Sequence, residues 1–290
     1  MELLNGKVVS DKFKDGLKET VRDLRSNNIV ENINLAVVQV GDNSASSVYI
    51  KNKMKSCEYI GIDSSLYNLP ENTEEQEVIE LIESLNEDDS VTGILVQLPL
   101  PSHINEQNVL QIVNPAKDVD GFTAYNSGNL FTGNTRLVPC TPFGIMKILS
   151  YYGIEVAGKE CVVVGRSNIV GKPMAMLLLA ADGTVTICHS KTKNLKEICK
   201  RADILVCAIG KPKFFNRDYV KNGAVVIDVG IHRMDNGKLC GDVDFDDVKD
   251  TVGAITPVPN GVGATTVASL MGNCVAAAVN QYADKNEQEK

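Results

Sequence analysis

The chain has 290 residues, 43% of them hydrophobic and 23% charged, with a formal net charge of −8 and a pI near 5.0. That acidic balance argues against sequence-independent binding to nucleic acid, whose phosphates call for a basic face. No basic stretch followed by an apolar segment opens the chain, and no apolar run reads as approaching the ~20 residues that span a bilayer, so a cytoplasmic protein with no membrane partner is expected. The eight cysteines show no C-x-x-C spacing, and Cys161, Cys188 and Cys207 sit in strand-like apolar runs, which suits buried reduced thiols. His103, His189 and His232 lie far apart in the chain, so no metal site is expected.

Apolar runs alternate with amphipathic stretches throughout, the pattern of βαβ units around mainly parallel sheets. A helix is predicted over 12–26, then the strand "NLAVVQVG", then a helix over 44–60. At about 100° per residue, Ala45, Val48, Tyr49, Asn52, Lys53, Ser56, Cys57 and Ile60 share one stripe of that second helix, while Lys51 and Lys55 face the other way. Lys53 on that stripe has two readings. Its stem can lie on the core with the ammonium in water. Alternatively, an apolar wall disfavours its charge and makes it a proton shuttle, with Tyr49 one turn earlier as a flat surface for an aromatic ligand.

A helix over 74–85 leads to the strand "VTGILVQL", which ends at Gln97 before prolines. Open α/β sheets place ligands at the carboxyl ends of their strands, so Gln97 either touches substrate or Lys53, or simply caps loop amides. In "PAKDVDGF", Asp118 and Asp120 lie two apart. The pattern resembles the opening of a calcium loop, but the other oxygen ligands are absent. These aspartates either bond to their own turn backbone, or one of them grips a ring with adjacent N–H donors, such as a pterin or guanine. In "VPCTPFGI", Thr141 is predicted to cap a helix over 143–151 with Pro142 at its first position, which marks a domain junction.

The strand "ECVVVG" opens "CVVVGRSNIVGKPM", where Gly165 is followed by Arg166, Ser167 and Asn168, and Gly171 arrives one position late for the G-x-G-x-x-G fingerprint. A helix over 172–181 follows. A strand entering a glycine turn and leaving through a helix N-terminus suits a pyrophosphate, although such a turn also occurs in α/β domains that bind nothing. The next strand, "TVTICHS", ends without the acid that grips the ribose diol of NAD, whereas Arg166 and Ser190 suit a 2′-phosphate, so the pattern leans to NADP. "DILVCAIG" and "AVVIDVG" continue the sheet. In "AITPVPNGVGATTVASLMG", Pro257 and Pro259 stiffen a loop, and Gly261 and Gly263 allow close approach at the start of a long helix over 262–282. That loop either lines a ligand cleft or packs a small-residue helix on the sheet.

Taken together, the Tyr-x-x-x-Lys of "YIKNK", "VQLPLP", "KDVDGF", "PCTPFGI", "VVVGRSNIVGKPM", "CHSKT", "VIDVGI", "GDV" and "TPVPNGVG", in this order, resemble the methylenetetrahydrofolate dehydrogenase/methenyltetrahydrofolate cyclohydrolase family. The resemblance implies two α/β domains separated by a cleft, the second a Rossmann-type NADP-binding domain. Residues 1–140 would form the folate-binding catalytic domain, with the C-terminal helix over 264–290 packing back on it, and 141–263 the NADP domain. It also implies a homodimer acting on one-carbon derivatives of tetrahydrofolate. Lys53 would be the catalytic lysine, Gln97 its modulator, Asp120 the pterin anchor and Tyr49 the aromatic platform. Val96, Leu98, Pro259, Gly261, Val262 and Gly263 would complete the substrate contacts, and Gly165, Arg166, Ser167, Ser190 and Ile231 would hold NADP. The last loop departs from the family's usual G-G-V-G-P-M-T: Asn260 replaces the first glycine, and Ala264-Thr265 replaces Pro-Met. The alternatives are a member with one of the two activities, or another NADP-linked two-domain oxidoreductase of the shikimate-dehydrogenase type.

Overall fold

The computed structural model describes residues 1–41 and 44–288, side chains excepted at 44–48 and 288, so Ala45 and Val48 of the predicted stripe lie outside the described side chains. In chain order the first elements are β1 (Glu2–Leu3), α1 (Gly6–Ser26), β2 (Asn34–Val40), α2 (Ser44–Ile60), β3 (Asp63–Leu69), α3 (Glu75–Glu87) and β4 (Gly93–Val96). Then come α4 (Glu106–Ile112), α5 (Ala124–Thr132), α6 (Cys140–Tyr151), β5 (Glu160–Val164), α7 (Gly171–Ala180), β6 (Thr184–Cys188) and α8 (Leu195–Cys199). The chain closes with β7 (Ile204–Cys207), β8 (Val225–Asp228), the hairpin β9 (His232–Arg233) and β10 (Leu239–Cys240), α9 (Phe245–Val248), β11 (Ala254–Ile255) and α10 (Val262–Gln288).

The chain divides into two compact units, Met1–Asp11 with Thr141–Thr266, and Lys12–Cys140 with Val267–Lys290. The sequence reading places residues 1–11 with the residues up to 140. In the structure they join the other unit, because β1 pairs in parallel with β11, Glu2 opposite Ala254 and Leu3 opposite Ile255. Two-residue strands leave no periodicity in sequence, which is why that pairing has no local signal.

Among the described residues, the first unit carries a six-stranded parallel sheet in the order β1-β11-β8-β7-β5-β6. Both faces are covered. Val163 and Val206 pack with Ile145, Ile148 and Leu178 on one side, and Val162, Leu205 and Val226 pack with Cys199, Phe215 and Val248 on the other. Strands buried on both faces read as unbroken apolar runs, and each such side chain contributes about 1.5–3 kcal/mol on burial. Thr141 and Pro142 fall inside the first turn of α6, which begins at Cys140 rather than after a Thr141 cap, and Thr141 Oγ1 lies 3.3 Å from Thr266 Oγ1.

The second unit carries a three-stranded parallel sheet in the order β3-β2-β4. Leu35, Val37 and Leu95 pack with Ile50, Cys57 and residues of α10. The alternate residues Ala36, Val38, Ile94 and Val96 pack with Val78, Ile82 and Val109 on the opposite face. No run in the sequence reads as approaching membrane-spanning length, yet α10 is long and apolar enough over Val262–Glu287 to cross a bilayer, with a mean hydropathy of 1.5. Its apolar character has a different cause here. Of its most apolar stretch 61% is buried inside the protein, and Leu270, Met271, Cys274, Ala277 and Ala278 belong to the core.

Candidate active site

The three-stranded unit brings three predicted side chains together. Among the described side chains of α2 the buried ones are Ile50, Cys57 and Ile60, with Lys53 half-buried at their border. From there the Lys53 ammonium donates to Gln97 Oε1 at 2.9 Å. Gln97 follows β4, its backbone N–H bonds the Val38 carbonyl, and its Nε2 donates to the Leu98 carbonyl at 2.7 Å. The amide is thereby oriented with its oxygen toward the ammonium. Tyr49 is 47% exposed one turn before Lys53, Val96 is buried, and Leu98 is half-buried.

The two aspartates of "KDVDGF" have different environments. Asp118 is fully engaged: it accepts the backbone N–H of Phe122 at 3.1 Å, that of Thr123 at 2.8 Å and the Asn126 amide at 2.9 Å. Thr123 also caps α5 through its side chain, so the turn and the helix fix each other. Asp120 takes only one weak donor among the described residues, the Cys140 thiol at 3.6 Å. Burial pushes its carboxyl up to about 6, the nearby positive charge of Lys53 lowers it in part, and the negative charge of Asp118 adds to the rise. A carboxyl group with free acceptor capacity beside an oriented lysine is able to bind N–H donors and to exchange a proton near neutral pH.

In the six-stranded unit the glycine turn leaves β5 at the carboxyl end of the sheet. Gly165 has a φ of +140°, and a Cβ there would run into the Ala208 carbonyl, so only glycine fits. A Cβ on Gly171 would likewise meet the Gly165 carbonyl. Ser167 Oγ accepts the backbone N–H groups of Val170 at 3.2 Å and Gly171 at 3.3 Å, closing the turn onto α7. Arg166 and Ser190 are both exposed, and Arg166 has no hydrogen bond or ion pair among the described residues. The N–H groups of Gly171 and Lys172 are thus taken within the turn, so what the turn offers an anion is its exposed 166–169 stretch with the unengaged Arg166 guanidinium, which suits the phosphates of a dinucleotide. Ile231 is 45% exposed after β8, and its Cδ1 lies 2.7 Å from where a Cβ on Gly263 would be.

Residues 139–282 match the NAD(P)-binding domain of tetrahydrofolate dehydrogenase/cyclohydrolase, and residues 4–120 match its catalytic domain. The bifunctional protein FolD of Lachnoclostridium phytofermentans is 60% identical over 276 residues, 95% of this chain and 97% of that protein. The chain belongs to the tetrahydrofolate dehydrogenase/cyclohydrolase family. The crystal structure of bifunctional FolD from Campylobacter jejuni superposes with a TM-score of 0.93 at 48% identity, covering 97% of this chain and 99% of that one. The family member from Trypanosoma brucei, solved with NADP cofactor and inhibitor, gives 0.90 at 33% identity, with 96% and 97% covered. The shikimate-dehydrogenase-type alternative therefore falls.

Pro259, Gly261, Val262 and Gly263 belong to the six-stranded unit, whereas Tyr49, Lys53, Val96, Gln97, Leu98 and Asp120 belong to the three-stranded one. Asn260, which departs from the family's usual glycine, has a φ of +72°. It holds a left-handed conformation that asparagine tolerates better than most residues. One residue outside the motifs quoted above also supports the site. Asn273 of α10 donates to the Val119 and Val138 carbonyls, each at 2.7 Å, and so pins the backbone beside Asp120 and Cys140. Nothing in its small-residue surroundings marks it.

Proposed function

We infer that this chain oxidises 5,10-methylenetetrahydrofolate with NADP and hydrolyses the resulting 5,10-methenyltetrahydrofolate to 10-formyltetrahydrofolate. The observation that carries the reading is the Lys53 ammonium bonded at 2.9 Å to Gln97, close enough to Asp120 to lower its proton affinity. Asp120, with spare acceptor capacity, anchors the N–H donors of the pterin ring, and Tyr49 offers its exposed ring face to the folate, with Val96, Leu98 and the loop carrying Pro259, Gly261, Val262 and Gly263 as further contacts. Bound NADP supplies the hydride acceptor. Oxidation then requires mainly alignment, since the folate's own nitrogen lone pair expels the hydride.

Hydrolysis asks more of the protein. Water adds to the cationic methenyl carbon and a C–N bond opens, so a proton must leave the water and another must reach the departing nitrogen. Lys53 moves those protons, and Gln97 holds its ammonium in place between turnovers. Gly165, Arg166 and Ser167 with Ser190 and Ile231 hold the cofactor, Arg166 facing the 2′-phosphate. In support of action in the reducing cytoplasm, every cysteine is free and all but Cys240 are buried; the working form is a homodimer, by analogy with the family.

Lys53→Met tests the assignment. Hydrolysis of methenyltetrahydrofolate is expected to fall by at least about 100-fold, while the fold and NADP-dependent oxidation survive, so that methenyltetrahydrofolate accumulates. A folded variant that hydrolyses at the wild-type rate would remove Lys53 from the mechanism.

A further inference from the structure

Two of the motifs shared with the family, "VIDVGI" and "GDV", contain aspartates to which the chemistry above gives no part. Asp228 ends β8 and Asp242 follows β10, and both are buried. Asp242 Oδ2 accepts the backbone N–H groups of Ile209 at 2.7 Å and Gly210 at 3.0 Å, and its Oδ1 accepts that of Lys211 at 2.8 Å. The same Oδ1 lies 2.8 Å from His232 Nε2, on the residue directly after Ile231. Asp228 in turn holds Asp242. Its Oδ1 accepts the N–H of Asp242 at 2.8 Å and that of Gly230 at 3.1 Å, and its Oδ2 accepts that of Val243 at 3.0 Å.

The glycines of these motifs belong to the same packing. A Cβ on Gly230 would run into the Asp242 carboxylate, and one on Gly241 into the Asp228 carboxylate. A carboxylate that gathers three consecutive backbone N–H groups fixes a loop as firmly as secondary structure would.

What that loop borders gives the network its use. β8, β7 and β5 are neighbours in the sheet, so the segments leaving their carboxyl ends lie side by side. The segment after β7 starts at Ala208, whose carbonyl stands where a Cβ on Gly165 would fall. The turn after β8 carries Ile231 and His232. Asp242 is bonded to both segments, and its side chain is 0% exposed, so it acts through them.

We propose that Asp242 is a positioning residue for the dinucleotide, holding the 208–211 segment and the 231–232 turn in the arrangement that the glycine turn needs to bind NADP. The proposal rests on the reading of the six-stranded unit as the NADP unit.

Asp242→Asn keeps the shape but sets an amide N–H against the backbone N–H donors whichever way it turns. The dissociation constant and KM for NADP are expected to rise about tenfold, with kcat at saturating NADP within about threefold of wild type and the KM for methylenetetrahydrofolate little changed. A purely structural role would instead lower the melting temperature and the active fraction while the folded enzyme kept its wild-type KM for NADP. That result overturns the proposal. If the asparagine variant does not fold, His232→Ala decides, since it removes one donor and leaves the backbone net in place. Its KM for NADP should rise about threefold, and an unchanged value is again contrary. Arg166→Ala separates the two layers. If it weakens NADP and Asp242→Asn does not, only the positioning role fails; if Arg166→Ala leaves NADP affinity untouched, the reading of the site itself fails.

Discussion

The two units share one architecture, a parallel sheet covered by helices on both faces, but offer chemistry from different parts of the residue. In the three-stranded unit the proposed site is made of side chains: Lys53 bonds Gln97 at 2.9 Å, and burial lifts Asp120 to about 6. In the six-stranded unit the proposed NADP site is shaped by backbone around the Arg166 side chain, with Gly165 at a φ of +140° and a neighbouring loop held by Asp242. Chemistry made of side-chain tips can be deleted while the scaffold stays. A site made of backbone fails when a single methyl group is added in the wrong place.

The largest expected effect follows from that contrast. Gly165→Ala places a Cβ against the Ala208 carbonyl at a φ that L residues rarely adopt. NADP-dependent oxidation should fall more than about 100-fold, a loss of roughly 3 kcal/mol, while hydrolysis of separately supplied methenyltetrahydrofolate persists. Oxidation above a tenth of the wild-type rate would break the contrast.

A smaller effect reads the buried carboxyl. Asp120 binds its proton more tightly folded, at about 6, than at its ordinary value of 3.8. Between these values the native state holds more protons than the unfolded one, so the contribution of Asp120 to stability is full below about pH 4 and is lost as the pH rises through 6. Because Asp120 is only half-buried by exposed area, the span is at most about 2 kcal/mol. Denaturant midpoints of wild type and Asp120→Asn from pH 4 to about 7 should therefore diverge in favour of the variant; parallel curves would show that burial does not set this carboxyl.

The smallest effect has the opposite sign to the first. Gly16 lies within α1, in the three-stranded unit, with nothing within 4 Å of a Cβ placed on it. Gly16→Ala should stabilise by about 0.5–1 kcal/mol without touching either activity. Calorimetry that found destabilisation would mean that backbone constraint is not confined to the sites named here.

These differences also explain what the sequence made legible. Val162–Val164 and Leu205–Val206 read as strands because parallel strands buried on both sides are apolar at every position. β3, "DSSLYNL", did not, since it is an edge strand with polar residues along it. The Lys53–Gln97 contact was within reach of pattern, one partner out of place on a helix stripe and the other at a strand end. Asp120 was not separable from Asp118 by spacing. The distinction depends on which carboxylate the turn from Phe122 to Asn126 engages, and on Asn273, 154 positions away from the Val119 carbonyl it holds. The Asp242 network was hidden for the same reason. Its partners are backbone groups of Ile209, Gly210 and Lys211, and any residue type carries those.

The most direct test of the account measures both activities on one purified preparation of the chain, following NADP reduction with methylenetetrahydrofolate and then the decay of added methenyltetrahydrofolate. The account predicts both, with hydrolysis proceeding in the absence of any nucleotide; a folded chain that shows one activity and lacks the other contradicts it.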